Sequence, residues 1–133
     1  MTSVVADTHA VIWYLLDDPR LSRAAGAALD GATTGDRKIY LPTMCIVEMT
    51  YLSEKGRIVE DALPMLERVL AAYDSPFQVM ELTLAVAKAV RRIARKSVPD
   101  LPDRVIAATA LALGLPLVTR DGKIRASGIE TIW

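Results

Sequence analysis

Apolar positions along the chain alternate between two rhythms, short unbroken runs and spacings of three and four. Ser3 to Ala6 is such a run, and it predicts a buried strand. From Asp7 the spacing changes, with Ala10, Val11, Tyr14 and Leu15 on one helical face. Asp18-Pro19 ends that helix, and Ser22 caps a second through Ala25, Ala28 and Leu29. Lys38 to Leu41 reads as the next strand. A helix follows Pro42-Thr43 to about Glu54 and is closed by Gly56, and Val59 to Tyr73 supplies another. Phe77 to Leu82 alternates and suits a strand, and Leu84 to Lys96 is helical. Pro102 to Leu113 is a helix with Gly114 just past its end. Leu115 to Thr119 is a buried strand, Lys123 to Ala126 a short helix, and Glu130 to Trp133 a last strand.

Strands separated by helices predict an α/β fold, a central parallel sheet flanked by helices. Such sheets bind ligands beyond the carboxyl ends of their strands, where Asp7 and Asp121 fall. At 133 residues the chain is expected to form one domain, residues 1–133, burying roughly 70% of its unfolded surface. Hydrophobic residues make up 52% and charged residues 24%, with no linker, repeat or low-complexity tract. That apolar share favours a homodimer or a bound partner covering exposed surface.

Sixteen basic and sixteen acidic residues cancel, so any nucleic-acid contact must come from a local patch. The lone Cys45 cannot form an intrachain disulfide, and no charged leader with a long apolar core opens the chain. A cytoplasmic location is expected. No stretch approaches the roughly 20 apolar residues of a membrane span, so no membrane contact is expected.

Four acids near strand ends and helix starts carry the candidate chemistry: Asp7, Glu48, Asp103 and Asp121. Each has a plain structural reading. Asp7 can cap a helix, Asp121-Gly122 is a common turn pair, and Asp100 can cap the helix whose positive end favours Asp103. Glu48 lies among Met44, Val47, Tyr51 and Leu52 at helical spacing, an apolar setting that calls for an arginine partner or a cation. If the four converge where the first and fourth strands lie side by side, the balance changes. Two carboxylates about 4 Å apart repel by roughly 4 kcal/mol at an effective dielectric near 20. A hard cation, Mg²⁺ or Mn²⁺, relieves that repulsion and brings phosphodiester hydrolysis with it.

Other chemistries find less support. His9 is the only histidine, which excludes a multi-histidine zinc site, and it reads as structural. No Gly-x-Ser-x-Gly elbow, phosphate-cradling loop or dinucleotide fingerprint is present. A phosphoaspartate mechanism at Asp7 is weakened by histidine at position 9, where a second aspartate is needed. Lys88, Arg91, Arg92, Arg95 and Lys96 form a basic stripe opposite Val86, Val90 and Ile93, readable as a solvated face or a phosphate track. Trp13 and Tyr14 read as core or partner contacts because nothing basic interleaves with them. Tyr40 and Tyr51 read as core. Thr8 and Thr119 read as strand ends, with hydrogen bonds to ligand carboxylates as the alternative.

These residues resemble the PIN-domain nucleases, and most closely the VapC-like toxins of bacterial and archaeal type II toxin-antitoxin modules. The likeness is carried by Asp7-Thr8-His9-Ala10 with Trp13 and Asp18-Pro19-Arg20-Leu21-Ser22, and by Glu48 ahead of Tyr51-Leu52 and Lys55-Gly56-Arg57-Ile58. It continues in Pro102-Asp103-Arg104-Val105-Ile106-Ala107-Ala108-Thr109-Ala110 and Leu117-Val118-Thr119-Arg120-Asp121. The resemblance implies that Asp7, Glu48, Asp103 and Asp121 are the metal-binding and catalytic set of an Mg²⁺- or Mn²⁺-dependent endoribonuclease. Its substrate would be RNA, often transfer RNA in that family, and its partner a VapB-like antitoxin. The alternative is a non-catalytic PIN-fold module that binds RNA or protein.

Overall fold

β-Branched and aliphatic runs form the five strands of a computed structural model that describes residues 2–133. The strands are β1 (Val4–Ala6), β2 (Ile39–Pro42), β3 (Phe77–Met80), β4 (Leu117–Val118) and β5 (Thr131–Ile132). All pair in parallel, in the order β3-β2-β1-β4-β5. The chain fills one side of β1 with β2 and β3, then crosses back to lay β4 and β5 on the other. Connections therefore diverge between β1 and β4, which opens a crevice beyond their carboxyl ends. β1 is wholly buried, as a strand covered on both faces must be.

Seven helices make the crossovers: α1 (Thr8–Leu15), α2 (Arg23–Gly31), α3 (Thr43–Glu54), α4 (Ala62–Ala71), α5 (Leu84–Ala89), α6 (Leu101–Leu113) and α7 (Gly122–Arg125). Ser22 caps α2 through a hydrogen bond to the Ala25 amide, and Gly114 closes α6 in the left-handed region that costs glycine least. α1, α3 and α4 pack on one another, α6 lies against α3 and α5, and α2 against β4 and β5. No helix among the described residues is long and apolar enough to cross a membrane.

Three expectations need correction. The helix expected over Leu84–Lys96 stops at Ala89, passes through a 3-10 turn at Val90–Arg92 and is extended at Ile93. The Arg104 guanidinium explains the break, donating to the Ile93 carbonyl at 2.9 Å and the Val90 carbonyl at 3.1 Å. Those carbonyls therefore need no further helical turn, and the basic stripe is not continuous. The helix expected from Val59 begins at Ala62. In α3 the buried residues are Cys45 and Met49, whereas Val47 and Tyr51 are 61% and 53% exposed, so Tyr51 is not core.

Candidate active site

At the carboxyl ends of β1 and β4, several helix amino ends present unpaired amides, and acids fill them. Asp7 caps α1: its Oδ1 accepts the Thr8 amide at 2.6 Å. Its Oδ2 accepts the Thr119 hydroxyl at 2.6 Å, which ties β1 to β4. Asp121 caps α7 through the Ile124 amide, and its own amide donates to Thr119 Oγ1 at 3.0 Å. Asp100 caps α6 by accepting the Asp103 amide, which places Asp103 in the first turn. On α3, Glu48 accepts the Thr8 hydroxyl at 2.7 Å. Thr8 and Thr119 thus do more than end strands, each joining Asp7 to another of the acids.

The four acids, spread over 115 positions of the sequence from 7 to 121, line one cavity of about 580 Å³ together with Asp100, His9, Trp13 and Arg120. Their electrostatics record the crowding. Burial, opposed by the Thr119 and Thr8 hydrogen bonds, raises the Asp7 carboxyl, which is 8% exposed. Burial also raises Glu48 against the Thr8 bond, and the charges of Asp7 and Asp100 add to it. Asp103 climbs from 3.8 to about 7, first through burial and then through Asp100, Asp7, Asp121 and Glu48. No arginine neutralises Glu48; among the described residues the salt bridge is Arg20–Asp18.

Such a donor set fits a hard divalent cation, because every side chain offers oxygen and the accumulated charge asks for a positive partner. Among the described residues, no three His, Cys, Asp or Glu side chains already form a closed metal cage. The cavity suits an ion that keeps several waters and takes one or two carboxylates directly, as Mg²⁺ does.

Trp13 is core as expected, but its two cationic neighbours and the place of His9 at the cavity were not read from sequence. Trp13 has no basic neighbour in sequence before position 20, yet the Arg20 and Arg120 guanidiniums lie 5.0 and 5.5 Å from its ring centroid. His9 is exposed, lines the cavity and rests against Trp13 with centroids 5.5 Å apart. Position immediately after Asp7 and Thr8 on α1 was the available signal.

The PIN domain model matches residues 4–128, and the chain belongs to the PIN-domain family. Ribonuclease VapC22 of Mycobacterium tuberculosis is 30% identical over 126 residues, 95% of this chain and 92% of that protein. The fold is shared with VapBC2 from Rickettsia felis bound to a promoter DNA fragment, at TM-score 0.72 and 14% identity over 98% of this chain and 97% of that one. It is shared too with DNA-bound VapBC from Salmonella typhimurium, at TM-score 0.71 and 23% identity over the same shares.

Proposed function

We propose that the protein is an Mg²⁺- or Mn²⁺-dependent endoribonuclease, the toxin of a type II toxin-antitoxin pair, that hydrolyses phosphodiester bonds of RNA. The observation that carries this reading is the meeting of Asp7, Glu48, Asp103 and Asp121 at one cavity, with Asp103 raised to about 7. Likeness to a protein named a ribonuclease supports the reaction class. Transfer RNA is one substrate class that the resemblance implies.

Asp7, Glu48, Asp103 and Asp121 would hold the cation. When bound, it supplies polarisation of a phosphate oxygen and a water of lowered pKa for in-line attack. The chain's own part is placement. Thr119 and Thr8 lock the two Asp7 oxygens, and Thr8 turns Glu48 toward the same cavity. Asp103 holds or releases a proton near neutral pH. Arg120 lines the same cavity over the Trp13 ring, a cation that would attract a phosphate.

An antitoxin of VapB type is the proposed partner, and self-association as a homodimer fits the same need to cover apolar surface. Val47, Tyr51 and Leu101 are exposed, and the first two line an apolar depression with Met44 and Pro102 beside the acid cavity. Asp7→Asn tests the activity. RNA cleavage in Mg²⁺ or Mn²⁺ is expected to fall by about 10²-fold or more with the circular-dichroism spectrum unchanged. Unchanged cleavage removes the catalytic assignment, and wild-type binding without cleavage favours the non-catalytic module. Growth arrest on expression, relieved by a co-expressed antitoxin, tests the toxin role.

A further inference from the structure

Next to the acid cavity lies a second groove of about 440 Å³, and the two share a wall made by His9 and Trp13. Their chemistry is opposite. The first gathers carboxylates, while the second has an apolar floor of Leu16 and Ile58 over the buried Ile12, with Arg20, Arg57 and the Asp18 that pairs with Arg20 at its edge. Neither cation is there by chance of chain wandering. Gly56, at φ 66, turns the chain at the end of α3, and the Arg57 amide donates to the Leu52 carbonyl at 2.9 Å, so the base of that side chain is anchored. Asp18 takes the Nε and one Nη2 hydrogen of Arg20 at 3.0 and 2.8 Å, and the Trp13 ring supports the guanidinium. A guanidinium carries five N–H donors, so the remaining ones stay available for a ligand.

We infer that this groove is the subsite for the nucleotide adjoining the bond that is cut, with Arg57 and Arg20 on its phosphate and the apolar floor under its base. The inference rests on the proposed RNA cleavage and adds where the strand runs. A chain whose scissile phosphate lies among the acids reaches this groove by leading a neighbouring phosphate past the His9–Trp13 wall. Cations stand on both sides of that passage, Arg120 in the acid cavity and Arg20 in the groove, each over the same indole. Trp13 is 6% exposed, so it props these guanidiniums and leaves base contact to the groove floor. A polyanion with apolar bases matches this alternation of cations and apolar floor, as a peptide does only where it is acidic.

The test uses the full chain and a short fluorescein-labelled single-stranded RNA, read by cleavage kinetics and by anisotropy with Ca²⁺ replacing Mg²⁺. Arg57→Ala is expected to lower kcat/KM about tenfold, chiefly through KM. The slope of log affinity against log salt should shrink by about one. The Arg20→Ala/Arg57→Ala pair should lose more, and Arg57→Lys should recover part of the loss by restoring the charge. An unchanged KM and salt slope in the pair, while Asp7→Asn abolishes cleavage, overturns the subsite and leaves the nuclease reading standing. Weakened antitoxin binding with RNA kinetics intact also overturns it, since the groove then serves a protein. Absence of cleavage in the wild type removes both.

Discussion

The two ends of the sheet hold cavities of similar size and different charge. Beyond the carboxyl ends, about 580 Å³ is ringed by carboxylates; beyond the amino ends of β4 and β5, about 450 Å³ is lined by Ile93, Ala110, Leu111, Leu115 and Ile129, with Arg92 and Glu130 at its edge. One helix joins them. α6 carries Asp103 in its first turn and ends at Gly114 beside the other cavity, about 16 Å away at 1.5 Å per residue. The difference teaches that volume does not make a site. At the carboxyl ends, α1, α6 and α7 aim amides and positive dipole ends at acids, which makes costly charge tolerable. At the other end α6 finishes at Gly114 with no acid gathered there, and Arg104 is used up donating to the Val90 and Ile93 carbonyls.

Thr119→Val breaks this contrast hardest. The swap keeps shape but leaves Asp7 Oδ2 without its donor and the Asp121 amide without its acceptor. We expect about 2 kcal/mol of lost stability and a 10- to 100-fold fall in kcat/KM. Intact kinetics with lowered stability reduces Thr119 to a strand end. Arg104→Met probes the contact between α6 and the turn that follows α5, where Ile93 lines the other cavity. It removes three donations to Ile93 and Val90 and should cost about 2 kcal/mol by denaturant melt. An unchanged midpoint shows that the 3-10 turn does not need its cap.

The fold was more legible than the site. Strands at Val4–Ala6, Ile39–Pro42 and Phe77–Met80 announce themselves because apolar runs between turn residues have few other uses. α5 misled because Val86 and Ile93 are both buried at helical spacing, while the Arg104 that ends the helix comes from eleven residues downstream of Ile93. The acids were picked by type and position, but Asp7 and Asp121 also fit caps and are indeed caps. Capping and ligation use different electron pairs of one carboxylate, so sequence cannot choose between them. The threonine hydroxyls stood only as the alternative to strand ends, and the Arg–Trp–Arg stack was illegible, because they join residues 8 to 48, 7 to 119 and 13 to 120, pairings that only the crossovers create.

Acidity gives a smaller, signed effect. Asp103 rises from 3.8 to about 7, and Asp7 and Glu48 rise as well, so the folded chain holds more protons than the unfolded one between about pH 4 and 7. Their contribution is fully present below the unfolded values and is lost as pH rises through the folded ones. The metal-free protein should therefore melt a few degrees lower at pH 7.5 than at pH 5.5, with less difference in Asp103→Asn. Excess Mn²⁺ should flatten the wild-type curve from the high-pH side, because bound cation takes the place of the protons. A slope that is the same in Asp103→Asn means that this carboxyl is not crowded.

Arg92→Ala sets the floor of the comparison. The side chain is exposed on the 3-10 turn and edges the amino-end cavity, and it takes no part in the ion pair found among the described residues. Its loss should move stability by less than about 0.5 kcal/mol, the range of an ordinary surface change, and leave RNA cleavage unaltered. The same substitution decides the fate of the basic stripe. If Arg92→Ala weakens RNA binding and reduces its salt dependence, phosphate is being held at both ends of the sheet, and the division between a chemical end and a structural end does not hold.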